Sequence, residues 1–149
     1  MLTLEEFPHQ IHVAVQWGDM DAARHVNNTV YALWAETARV GYLQEFDPGA
    51  MADQNRTTGP VLGSLTCKYM FPVTFPDMIW IGTRLVEIKE DRFTMECFMF
   101  SESYQRAAAF LKATCVNFDF STNSKAPLPD DFAERVHTFE ANCFKFRGQ

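Results

Sequence analysis

The stretch from Asn28 to Phe46 is the feature that most limits what this chain can become. Val30, Leu33, Trp34, Ala38, Gly41 and Leu43 recur there at helical spacing, and only Glu36 and Arg39 interrupt the uncharged run before Glu45. A helix so poor in charge must be wrapped on several sides. One strand pattern precedes it, with Ile11, Val13, Val15 and Trp17 alternating on one face of Gln10 to Trp17. Asp47-Pro48-Gly49 ends the helix and Asp53 to Gly59 reads as a surface loop. Strands follow at Val61 to Phe71, Met78 to Lys89, Arg92 to Ser101 and Arg106 to Phe120, the last three close enough to form an antiparallel meander. Pro72 and Pro76 bracket the turn before that meander, and Pro129 to Phe139 suits a short terminal helix. The order specifies an α+β fold in which a curved antiparallel five-stranded sheet wraps one long central helix. Open edges of such a sheet favour pairing with a second copy.

The 149 residues suffice for a single domain, 1–149, with one core. A net charge of -6 and a pI near 5.1 argue against a nucleic-acid surface, so any anionic ligand must meet a local basic cluster. Cys67, Cys97, Cys115 and Cys143 show no metal-type spacing and no signal peptide precedes them, which suits reduced thiols in a cytoplasmic protein. No apolar run approaches the roughly 18 residues of a membrane span.

Chemistry concentrates just before the helix, where Trp17 to Tyr31 holds two carboxylates, a histidine and two asparagines. Trp17-Gly18-Asp19-Met20-Asp21, His25-Val26-Asn27-Asn28, Tyr31 and a helix bearing Glu36 together resemble the hotdog-fold acyl-CoA thioesterases of the 4-hydroxybenzoyl-CoA thioesterase type. The likeness spans about residues 8 to 120 and includes the turn at 72–77, where Pro76 stands in place of the family's glycine. Asp-Met-Asp and His-Val-Asn-Asn are also similar to pieces of plant acyl-ACP thioesterases. Ala23 and Arg24 depart from the glycine or asparagine of many relatives.

The resemblance implies a hotdog fold and hydrolysis of an acyl-CoA to free acid and CoA. It implies a homodimer or homotetramer, and no metal or cofactor beyond the CoA of the substrate. Asp21 is the implied carboxylate, as base for water or as nucleophile. The first N–H groups of the helix lack intrahelical partners and lie at the positive end of its dipole, so they suit a developing oxyanion. Asn27 or Asn28 is an N-cap by residue type, and the family motif puts the carbonyl-polarising backbone N–H at Asn28.

Other positions carry two readings each. His25 either meets the thioester or holds loop backbone, and Asn27 either caps the helix or positions water. Asp19 either accepts local turn bonds or takes part in catalysis. Glu36 corresponds to a helix carboxylate catalytic in some hotdog thioesterases, or pairs with Arg39 three residues on. Tyr31 packs against the acyl channel or a partner subunit. Gly63 and Ser64, read as beginning the second strand, either let the thioester approach or mark a bulge.

Lys89 and Arg92 flank a hairpin turn that in the family contacts the nucleotide, and are otherwise a solvated hairpin end. Lys68, Arg84, Arg106 and Lys112 are further cations for CoA phosphates. Phe71, Phe75 and Trp80 suit an acyl pocket or ordinary core. Competing functions are an acyl-ACP thioesterase, a hotdog hydratase and a non-catalytic acyl-CoA-binding protein.

Overall fold

In the computed structural model, residues 1–147 are described, apart from the Met51 side chain; residues 148 and 149 of the expected domain lie outside them. The elements run β1 (His9–Ala14), α1 (Asn28–Phe46), α2 (Pro48–Ala52), β2 (Thr58–Tyr69), β3 (Met78–Ile88), β4 (Arg92–Ser101), β5 (Arg106–Asp119), β6 (Ser124–Lys125) and α3 (Phe132–Arg147). The strands form one antiparallel sheet in the order β1-β3-β4-β5-β2, and the two-residue β6 pairs with β5. The five expected strands are thus present with a sixth, minimal one, curled as a half-barrel against α1. This is the hotdog fold.

The expected bounds of α1 hold because both ends are fixed locally. Asn27 caps the start through its side chain. At the far end Asp47 Oδ1 accepts the Ala50 N–H at 3.1 Å, and Pro48 opens α2 where Pro is well tolerated. Burial of α1, however, is one-sided. Tyr31, Trp34, Ala35, Ala38 and Tyr42 face the sheet, whereas Leu33 is 60% exposed and Val40 is exposed as well. The expectation of wrapping on several sides fails within one protomer, because the half-barrel covers only one face.

Other boundaries also shift. β1 stops at Ala14, and Trp17 opens a 3₁₀ turn with its side chain 73% exposed, so it does not share the inward face of Val15. β2 begins at Thr58, which takes in part of the expected loop. The segment after Tyr69 is no hairpin: it carries the chain from the β2 edge across to β3, beside β1. α3 begins at Phe132 and continues to Arg147, well beyond Phe139.

The core divides along α1. Val15, Val26, Tyr31, Trp34, Ile79, Met99 and Leu111 pack about its first half. Tyr42, Phe93, Met95, Cys115, Phe132 and Val136 pack about its second, where α3 closes over it.

Candidate active site at the start of the central helix

Short-range bonds shape the loop between β1 and α1. Asp19 Oδ2 accepts the Gln16 N–H at 2.8 Å and fixes the 3₁₀ turn. Met20 and Val26 then bridge antiparallel, closing a small loop in which the Asp21 N–H donates to His25 O (3.1 Å) and the Arg24 N–H to Asp21 O (2.9 Å). Val26 N–H donates to Val73 O at 2.8 Å, and Asn27 N–H to Asp19 O at 2.9 Å. The loop is thereby pinned to both the crossover and the 3₁₀ turn. Arg24 carries the turn at φ 64°, a left-handed conformation that costs a side-chain-bearing residue about 1 kcal/mol.

Within this frame one side chain does two jobs. Asn27 Oδ1 accepts from Thr29 N–H (2.9 Å) and Thr29 Oγ1–H (2.7 Å), which caps α1. Its amide Nδ2 donates to Asp21 Oδ2 at 3.0 Å, while Ala23 N–H donates to Asp21 Oδ1 at 2.8 Å. Asp21 is therefore an exposed carboxylate held at each oxygen, with lone pairs left over on both. Asn28, the first helical residue, is also exposed, and its backbone N–H meets no acceptor among the described residues. Its carbonyl accepts the Tyr69 hydroxyl at 3.2 Å.

Two hollows flank the loop. One, of about 340 Å³, is lined by His25, Asn28, Tyr31, Tyr69, Met70 and Phe71 among others. The second, of about 410 Å³, is lined by Trp17, Met20, Asp21, Arg24, Thr74 and Phe75. His25 and Asp21 thus line separate hollows, although the His25 carbonyl bonds the Asp21 N–H. The Tyr31 hydroxyl accepts the Val73 N–H at 3.3 Å, and burial pushes its pKa up, so it stays a neutral clamp on the crossover.

With this geometry in view, the relatives are informative. The model of the thioesterase-like superfamily matches residues 15–136. The chain belongs to the thioesterase-like superfamily. Among solved structures it is similar to a thioesterase from Thermus thermophilus complexed with coenzyme A and Zn: 26% identity over 91% of this chain and 96% of that one, TM-score 0.76. The gentisyl-coenzyme A thioesterase BH1999 (24% identity, 88% and 98% covered, TM-score 0.73) shares the fold. So does a DHNA-CoA thioesterase from Staphylococcus aureus (15% identity, 95% and 95% covered, TM-score 0.76). No curated protein matches the sequence significantly. The protein is a thioester hydrolase by family.

Several expected site residues of this thioesterase stand apart from Asp21 within the protomer. Glu36 lies about 12 Å along the helix axis from Asn28, exposed, and makes no ion pair with Arg39 among the described residues. Gly63 and Ser64 sit inside β2 rather than at its start. A bulge falls there, and a Cβ on Gly63 would come 3.1 Å from the Val116 side chain.

The hairpin cations are further away still. They stand at the other end of β3, about 35 Å from Met78 by strand length. Arg92 is spent on Asp91 (2.7 and 3.3 Å), and Lys89 lies 3.4 Å from Glu87. Of the other cations, Arg84 and Lys112 both pair with Glu96.

What the sequence reading missed is closer to hand. Tyr69 ends β2 against the helix start and Arg24 lines the Asp21 hollow, while Arg106, one of the cations expected for CoA phosphates, stacks 4.5 Å over Phe71. Neither arginine makes an ion pair among the described residues. Tyr69 carries no sequence signal for this role, since only the fold brings it to Asn28.

Proposed function

We propose that this protein hydrolyses an acyl-CoA thioester to the free acid and CoA, with no metal or cofactor beyond the CoA of the substrate. One observation carries the reading: the Asn27 side chain ties the Asp21 carboxylate to the helix start, beside an Asn28 N–H that has no acceptor among the described residues. A thioester whose carbonyl oxygen takes that N–H lies within reach of a group held by Asp21. Water attacks the carbonyl carbon while Asp21 accepts its proton. The tetrahedral oxyanion is held by the Asn28 N–H, and its collapse breaks the C–S bond and returns the proton to the thiolate. If Asp21 attacks directly, the C–S bond breaks, CoA leaves as the thiolate and an acyl-aspartyl anhydride forms; water then cleaves it to the free acid and the Asp21 carboxylate, and the proton released goes to the thiolate. Single turnover in ¹⁸O-water tests the second route, because label in Asp21 arises only when water adds to the aspartyl carbonyl of that anhydride. His25, Tyr31 and Tyr69 line the neighbouring hollow and contact the acyl-pantetheine part.

The site is completed by a second copy. The outer edge of β2 has no strand beside it among the described residues, and Leu62, Tyr69 and Met70 on or next to it are exposed, as are Leu33 and Val40 on α1. Antiparallel pairing of two β2 edges would place the hairpin end of one protomer beside the Tyr69 end of the other. Gly63, Ser64, Lys89 and Arg92 then approach Asp21 from the partner, and Arg24 and Arg106 serve CoA phosphates locally. The four free thiols suit the reducing cytoplasm.

The test is thiol release from a panel of short, long and aromatic acyl-CoAs, each beside its acyl-carrier counterpart. The proposal expects release well above an Asp21→Ala control. Equal rates in both proteins across the panel would contradict it, and a preference for carrier thioesters would move the substrate to acyl-ACP.

A further inference from the structure

At the far end of α1 lies a cavity of about 220 Å³ that the proposed reaction does not use. Its apolar wall comes from Leu43, Phe46, Phe93, Leu128 and Phe132, of which Phe93 and Phe132 are buried. Three charged side chains also line it, namely Asp47, Arg56 and Arg135. Asp47 and Arg135 cancel at 3.1 Å, and the Arg135 guanidinium rests 4.9 Å over the Phe46 ring. Arg56 makes no ion pair among the described residues and is half-buried. The lining thus combines an aromatic floor with one net positive charge. An apolar pocket with a few placed polar groups is the usual form of a small-molecule site. An apolar cavity of about 150 Å³ already holds a benzene ring, so this one has room for an alkyl tail of about eight carbons.

We propose that this cavity binds an amphipathic monocarboxylate, its tail against Phe93 and Phe132 and its carboxylate on Arg56. Within one protomer the site is separate from the Asp21 loop: the two lie at opposite ends of a 19-residue helix, about 27 Å apart along the axis. A neutral chain of the same length would lack the Arg56 contact, and a short acid such as acetate would leave the floor uncovered. The acid released by thioester hydrolysis belongs to the favoured class, but the inference does not depend on that reading, because it concerns binding alone.

Calorimetric titration of the full-length protein with octanoate and with octan-1-ol, joined to methyl NMR of the leucines, tests it. Octanoate is expected to bind and to shift Leu43 and Leu128. Arg56→Gln should weaken octanoate about tenfold or more while leaving octanol unchanged, as for loss of a hydrogen bond to a charged group. Ala50→Trp, which fills the cavity from α2, should abolish both, and Asp21→Ala should alter neither. Absence of octanoate binding at millimolar concentration would overturn the proposal. So would indifference to Arg56→Gln, persistence of binding in a folded Ala50→Trp protein, or loss of binding in Asp21→Ala.

Discussion

The two ends of α1 are built on opposite principles. At its start Asp21, Asn28 and Tyr69 are exposed, and two hydrogen bonds fix groups that remain open to solvent: Asn27 on Asp21, Tyr69 on the Asn28 carbonyl. At its end the same helix is closed by aromatic packing, with Tyr42, Phe46, Phe132 and Phe139 meeting edge to face. Its polar bonds there are consumed internally. Glu140 Oε1 accepts both the Tyr42 hydroxyl (2.7 Å) and the Leu85 N–H (2.9 Å), joining α3, α1 and β3 at one atom. Burial and the Glu140 carboxylate push the Tyr42 phenol far above its ordinary pKa, so it is a permanent donor. Catalysis needs positioned groups with spare capacity, and stability needs groups with none left.

Substitutions at each end should therefore separate activity from stability. The largest effect is expected from Asp21→Asn, which should lower kcat/KM 10²- to 10⁴-fold at unchanged melting temperature, measured by thiol release and calorimetry. At the other end Phe132→Ala should cost about 3–4 kcal/mol in urea unfolding, with activity per folded molecule preserved. Asn27→Ala should blur the division, since it removes a cap worth about 1 kcal/mol and also releases Asp21. A loss of both stability and kcat is expected from that variant, whereas loss of stability alone would show that the Asn27 clasp on Asp21 is idle. The smallest effect is a gain: Arg24→Gly should relieve the left-handed strain and raise stability by up to about 1 kcal/mol.

The contrast also explains what could be read from the sequence. α1 was legible from Asn28 to Phe46 because its signals are local: an asparagine cap, a periodic apolar face and Asp47-Pro48. β4 was legible because a short turn precedes it and alternation sustains it. α3 was not, for its apolar burial fades after Val136 and its later turns are held by Glu140 on Tyr42 and Arg147 on the Phe7 carbonyl. Such long-range polar bonds leave no periodic trace. Trp17 was misplaced for a related reason: alternation continued in the letters while Asp19 had already turned the backbone. The Asp21 to Asn28 segment could be singled out by motif. The pairing of Arg92 with its own neighbour Asp91, which removes it as a free cation, required coordinates.

The proposed reaction has the backbone N–H of Asn28, not its side chain, polarise the carbonyl. Asn28 is the first helical residue, where proline is tolerated, and Asn27 before it has the extended conformation (φ -61°, ψ 143°) that proline requires. Asn28→Pro therefore deletes that N–H and leaves the helix in place, while Asn28→Ala deletes only the side chain. A near-normal kcat is expected for Asn28→Ala and a loss of about 10²- to 10³-fold for Asn28→Pro at matched helicity and melting temperature, if the N–H polarises the carbonyl. Equal kcat values in the two variants would contradict it.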